Sequence, residues 1–146
     1  MKLTRFTDFG LRALMYLGAH PGRPISAGEI SDRFRVSRDH MMKSLQALDA
    51  MGLVSATRGR GGGFQLTRGA GLARLGFVAR TLEPSLALAE CFEEESTCPL
   101  TGGCLLAGAL GEAQAAFFDT LDGYTLGDLV AADGPHLVQL GGLRVG

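Results

Sequence analysis

Cysteine is scarce in this sequence: there are three, Cys91, Cys98 and Cys104, all inside the fourteen residues of CFEEESTCPLTGGC. An odd number cannot all pair within one chain. The opening residues, MKLTRFTDFG, hold no apolar run followed by a small-residue cleavage site, so no secretory signal is read there. A cytoplasmic location is expected, where thiols stay reduced, which argues against a structural disulfide framework. No apolar stretch reaches the roughly 18 residues that a membrane span requires, so no membrane partner is expected. Histidine is also rare, and His20, His40 and His136 all lie far along the chain from the cysteines. That leaves no Cys–His pair for nucleophilic catalysis. The glycine-rich RGRGGG at 58–63 is not followed by the G-K-[ST] of a phosphate-binding loop. These absences point away from an enzyme.

The charge is unevenly spread, although the 146 residues sum to a net charge of −1. Residues 1–70 carry 11 Lys+Arg against 5 Asp+Glu, a balance of +6; residues 71–146 carry 3 against 10, a balance of −7. A basic half followed by an acidic half suggests one part that meets nucleic acid and one that does not. The division expected is a DNA-binding region over 1–70, a cysteine loop with a long dimerisation helix over 71–131, and a loose tail over 132–146.

Apolar residues at helical spacing, including Phe6, Phe9, Leu11, Leu14, Met15 and Leu17, predict a first helix over 4–19, and HPGRP at 20–24 breaks it. Ser26 opens a short second helix, and SAGE at 26–29 has the form of a capping box. RVSR is a tight connection. Ser37 can cap a third helix, Arg38 to Met51, with Met41, Met42, Leu45, Leu48 and Met51 inward and Gly52 as its stop. Two capped helices across a short turn make a helix-turn-helix. Short strands on either side of RGRGGG make a wing. A fourth helix is expected over 72–83. The cysteine loop follows, then a helix over 104–121 with Leu106, Ala109, Leu110, Ala113, Phe117 and Leu121 on a broad face suited to a partner. A last short helix, YTLGDLV, would be capped by Thr125. The fold class expected is mainly α: a winged helix-turn-helix with a small β-hairpin wing and a long C-terminal dimerisation helix.

The exposed start of the third helix carries Ser37, Arg38, Asp39, His40 and Lys43. Arg38 and His40 can donate to base edges, and Lys43 suits a phosphate. Arg58 and Arg60 in the wing suit phosphate or minor-groove contacts, and Gly61 and Gly62 let backbone approach DNA closely. Ser26, at the start of the second helix, completes the DNA-facing set. The plain alternative is a protein-binding winged helix with solvated arginines, which the +6 balance and the Gly-Arg wing disfavour. The C-x6-C-x5-C spacing fits structural zinc poorly, since zinc favours tight cysteine pairs and four protein ligands. Spacing alone leaves an iron–sulfur cluster and a thiol redox switch equally open.

MKLTRFTDFGLRALMYL, SRDHMMKSLQAL, RGRGGGF, LEP, the three cysteines and GYTLGDLV together resemble the NsrR group of nitric-oxide-sensing repressors, within the Rrf-type winged-helix regulators. The resemblance runs from residue 1 to about 131. It implies a homodimeric repressor of double-stranded operator DNA whose long helix forms the interface. It also implies a 4Fe–4S cluster on Cys91, Cys98 and Cys104, with a 2Fe–2S form as alternative or degradation product. The remaining ligand in that group can be an aspartate from the other subunit, and Asp8 matches its position. The related IscR group uses a His three residues after the last cysteine, where this chain has Ala107. Glu90, Glu93, Glu94 and Glu95 are other oxygen donors, whose ordinary role is to solvate the loop. Without nitric oxide as signal, the same residues would describe an iron- or thiol-redox-sensing regulator.

Overall fold

The computed structural model describes residues 2–100 and 102–142. Helices α1 (Arg5–Ala19), α2 (Ala27–Phe34) and α3 (Arg38–Ala50) come first, then strands β1 (Val54–Thr57) and β2 (Gly63–Leu66). Helices α4 (Leu75–Leu82), α5 (Leu105–Asp122) and α6 (Leu126–Gly142) follow, with 3-10 turns at Ala70–Leu72 and Glu90–Phe92. The architecture is mainly helical with a two-stranded antiparallel hairpin, as the sequence predicts.

Each early helix starts where a hydroxyl can satisfy an orphan backbone N–H. Thr4 accepts from Thr7 N at 3.3 Å, and Ser26 accepts from Glu29 N at 3.1 Å. The expected capping box at Ser26 is half realised. Glu29 does not reach back to the cap; its carboxylate takes Arg23 at 2.6 and 3.0 Å and the Tyr16 hydroxyl at 3.2 Å. The pull of Arg23 wins because that cation and the buried tyrosine lie on the same side of α2.

The core lies between α1, α2, α3 and the hairpin, with Leu14, Tyr16, Ile25, Ile30, Met41, Leu45, Leu48 and Val54 fully or almost fully buried. Each large apolar side chain so buried contributes roughly 1.5–3 kcal/mol relative to exposure. β1 and β2 pair Val54 with Leu66 and Thr57 with Gly63. Ile25 bridges Phe64 through bonds of 2.9 and 2.8 Å, so the α1–α2 connection holds β2 along its outer edge.

The second half departs from expectation in two places. Leu72 does not begin α4; it is 80% exposed in the 3-10 turn, and Arg74 precedes the helix proper. Gly69, at φ +88°, imposes that turn. Residues 132–142 are helical rather than loose, because α6 runs on through Pro135. Leu126, Val130, Gly134 and Leu137 recur at helical spacing and face inward, so burial overrides the Gly-Pro break signal. The rest of that expected tail, 143–146, lies outside the described residues. On α5, Phe118 is buried within the chain, with the Arg80 guanidinium 5.0 Å from its ring centroid, while Phe117, on the face expected to meet a partner, is exposed in the single chain.

The expected cap of α6 is present and reciprocal. Thr125 Oγ1 accepts from Asp128 N at 3.2 Å, and the Asp128 carboxylate accepts from Thr125 N at 2.7 Å. Asp122, at the end of α5, accepts from Phe77 N at 2.9 Å and pairs with Arg80, which fastens α4 to α5. Glu83 accepts from Thr4 N at 2.7 Å and so fastens the end of α4 to the start of α1.

Arg23 holds the Glu29 carboxyl below its usual range, chiefly by hydrogen bonding. A depressed carboxyl adds stability above its unfolded pKa and loses it as pH falls through the folded value. Glu29→Gln should lower stability by about 1 kcal/mol at neutral pH, since the pair is partly exposed. Thermal melts of both proteins should converge as pH drops below the ordinary carboxylate range; an acid-independent gap would show that the ion pair is not the cause.

Candidate DNA-binding face and cysteine pocket

Between α2 and α3 the chain turns through Arg35, at φ +53°, a left-handed conformation uncommon for a residue with a side chain. Val36 N donates to Ser31 O at 3.0 Å across this turn. Ser37 then caps α3, accepting from His40 N at 3.5 Å. Met41, Ser44, Leu45 and Leu48 are buried on the inner side of α3, and the Ser44 hydroxyl donates to Phe6 O at 2.9 Å. The opposite side is thereby forced outward. Ser37, Arg38, Asp39, His40 and Lys43 are all exposed, as is Ser26 at the head of α2. Two of them lean back onto the protein. Arg38 lies over Gly28, where an added Cβ would come within 3.8 Å of its guanidinium carbon, and the His40 ring sits 6.4 Å from that of Phe9.

The tip of the hairpin brings Arg58 and Arg60 to the surface with Gly61 beside them. Gly59 and Gly61 hold φ of +95° and +75°, and Gly62 N donates to Gly59 O at 3.0 Å. A Cβ on Gly62 would collide with the Thr57 carbonyl oxygen. The close turn therefore excludes side chains and leaves the two arginines as its projecting groups.

At the far end of the chain, all three cysteines line one cavity of about 250 Å³ at the start of α5. None is in a disulfide, and each is partly buried. Glu90, Leu100, Leu106 and Leu110 also line the cavity, so its walls are mostly apolar. Cys104 stands immediately before α5, and Cys91 lies in the 3-10 turn Glu90–Phe92. Among the described residues, no three Cys, His, Asp or Glu side chains converge closely enough to hold a single metal ion.

The four glutamates of the loop are not equivalent, a point the sequence reading missed. Glu93, Glu94 and Glu95 border a separate, open cleft with Pro84 and Gln114. Glu90 alone of the four borders the cysteine cavity. Its carboxylate accepts from Thr97 N at 3.0 Å and from the Thr97 hydroxyl at 2.7 Å, and those bonds hold its carboxyl below the usual range. Its place directly before Cys91 was the available signal. Asp8 is not brought to the cavity within this chain. It lies in the first turn of α1, half exposed, paired with Arg12 at 2.8 Å, and the Arg12 guanidinium stands 5.9 Å from the Phe34 ring centroid.

A family model described as Rrf2, iron-dependent transcriptional regulator, matches residues 3–132. The chain belongs to the Rrf2 family. Among solved structures, a candidate transcriptional regulator from Listeria innocua is 28% identical, with a TM-score of 0.70 over 90% of this chain and 87% of that one. CymR, described as the global cysteine regulator of B. subtilis, is 24% identical, with a TM-score of 0.69 over 90% and 98%. IscR of T. potens is 22% identical, with a TM-score of 0.71 over 100% and 94%. The last two likenesses establish the Rrf2 winged-helix fold. Rrf2 members are transcriptional regulators rather than enzymes; they bind DNA and commonly dimerise. No helix among the described residues is long and apolar enough to cross a membrane.

Gly62→Ala should open the wing tip, because the Thr57 carbonyl must move aside. Amide exchange at residues 57–63 should accelerate, while the thermal midpoint changes little because the tip is exposed. Unchanged exchange would show that the turn tolerates a side chain.

Proposed function

We propose that this Rrf2 regulator is a homodimeric repressor that holds an iron–sulfur cluster on Cys91, Cys98 and Cys104 and releases its operator in response to nitric oxide. The observation that carries the reading is the common cavity. Three thiols set around a largely apolar space, rather than converging on one point, suit a polynuclear cluster in which each thiolate takes its own iron; a tetrahedral zinc site needs convergence. The NsrR-group resemblance supports the 4Fe–4S form, with 2Fe–2S as its alternative. When bound, such a cluster supplies the iron with which nitric oxide reacts.

The chain's own residues divide the remaining work. Cys91, Cys98 and Cys104 bind. Leu100, Leu106 and Leu110 limit water at the thiols, as the shell around such a site must. By the NsrR-group resemblance, Asp8 of the partner subunit would supply the remaining oxygen donor; within one chain it pairs with Arg12. A carboxylate is a harder, weaker partner for this iron than thiolate, so that corner is the replaceable one. Ligation by Asp8 ties the start of α1 in one subunit to the sensor loop of the other. Loss of that tie changes the spacing of the two recognition helices, and a coupling of a few kcal/mol would be enough, since ~1.4 kcal/mol is tenfold in affinity. The second copy covers α5, where Leu105 is 90% and Leu106 66% exposed in the single chain.

On DNA, Arg38 and His40 read base edges from the start of α3, supported by Ser37, Asp39 and Ser26. Lys43 takes a phosphate. Arg58 and Arg60 take phosphates or the minor groove, with Gly61 and Gly62 keeping the wing close.

Arg58→Ala and Arg60→Ala should each weaken binding across all sequences and flatten the slope of log affinity against log salt by about 1 per dimer arm lost. Arg38→Ala should instead relax sequence preference. Fluorescence anisotropy over a salt series separates the two, and a salt slope unmoved by either wing change would remove the arginines from the interface.

The reading as a whole is tested by anaerobic titration of nitric oxide into purified protein, following visible absorbance and promoter binding together. Absorbance and binding should fall in step. Colourless protein that binds DNA and responds only to thiol oxidants would transfer the function to a thiol-redox regulator.

A further inference from the structure

Glu90 directly precedes Cys91, and Thr97 directly precedes Cys98. The Glu90 carboxylate takes both the backbone N–H of Thr97, at 3.0 Å, and its hydroxyl, at 2.7 Å. One residue further on, Cys98 N donates to Ser96 Oγ at 3.3 Å. These bonds close a loop whose two ends are each followed by a cysteine, and Glu90 borders the cavity that both cysteines line. Both thiols therefore sit at the ends of a stretch that a carboxylate bond closes. The loop residues 93–95 are exposed, and no buried apolar side chain anchors the stretch between the two thiols.

We propose that Glu90 is a positioning residue: its bond to Thr97 is a clamp that sets the Cys91–Cys98 separation before the cluster arrives. This inference rests on the cluster reading above and deepens it. Closing the loop in the protein alone removes part of the ordering cost that cluster binding would otherwise carry, the general advantage of a preorganised site. The bond is charge-assisted, with a carboxylate accepting twice from one residue, so it is stronger than a neutral pair. A glutamine at the same place keeps an acceptor oxygen for Thr97 but loses the negative charge. The clamp therefore tolerates Gln, whereas a Glu90–iron bond would not.

The test compares Glu90→Ala, Glu90→Gln, Thr97→Val and the double change Glu90→Ala/Thr97→Val, each as the full chain reconstituted anaerobically with iron and sulfide. The first readout is the rate at which iron passes to an excess of chelator. Glu90→Ala should lose iron about fivefold faster than the unaltered chain, on the scale of losing two exposed hydrogen bonds together. Glu90→Gln should recover most of the retention with an unchanged visible spectrum. The double change should be no worse than Glu90→Ala. The second readout needs no cluster: in the apo-protein, diamide should form the Cys91–Cys98 disulfide more slowly in Glu90→Ala than in the unaltered chain. Circular dichroism confirms that each variant is folded. Additive losses in the double change, or unaltered iron and disulfide rates in Glu90→Ala, would overturn the clamp. Glu90→Gln as damaging as Glu90→Ala, with a shifted spectrum, would overturn it in favour of direct ligation. An unaltered chain that takes up no iron and sulfide would overturn the cluster reading instead, and the diamide rates would still judge the clamp.

Discussion

Helix α1 is closely packed on several sides at once, and the rest of the chain is arranged around that crowding. Gly10 leaves no room for a Cβ beside Leu82 of α4, and Gly18 leaves none beside Val130 of α6. On another side Leu14, Tyr16 and Leu17 are buried, and Phe6 offers its carbonyl to Ser44 of α3. Interiors at crystal-like density move as units rather than deforming smoothly. A shift of α1 would therefore bear on α3, the helix whose start is exposed. The one part of α1 with latitude is its outer face, where Asp8 and Arg12 form an exposed pair.

That packing explains why the acidic half of the chain is not an independent unit in a mechanical sense. Asp122 binds Arg80 and the start of α4, Glu83 binds Thr4, and α6 lies along α1. Negative side chains here serve as links between elements as well as solubilising groups. The basic half keeps its cations outward on α3 and the wing. The charge asymmetry therefore corresponds to a real division of surface, while the core is shared.

Most of the first seventy residues were legible because local and global signals agree there. Serines stand at helix starts, apolar residues recur at helical spacing, and glycines sit where the backbone needs positive φ. The second half was less legible for identifiable reasons. Gly134-Pro135 signals a break, yet Leu137 is buried one turn away and holds α6 together. Phe117 and Phe118 are indistinguishable by hydropathy, and the α4 surface that Phe118 meets, Arg80 included, lies far off in sequence. The cysteines were conspicuous at once, but their shared cavity depends on where the loop folds back against α5. No periodicity encodes that, and the one hint that set Glu90 apart from Glu93, Glu94 and Glu95 was its place directly before Cys91.

The cysteine loop is held differently from the DNA-binding face. The start of α3 is underpinned by Met41, Leu45 and Leu48, each without exposed surface. From Pro84 to Cys104, the described residues include no buried side chain, and the ties include polar bonds from Glu90 to Thr97, Ser96 to Cys98, and Gln114 to the Leu86 carbonyl. Segments with few apolar contacts open at low free energy, which is where responsive elements are drawn from. A well-packed α3 joined to a weakly tethered loop would suit the ligand-controlled regulator proposed above. A group bound by three thiols would cross-link that loop at three points, so its gain or loss would have leverage on the state of the molecule.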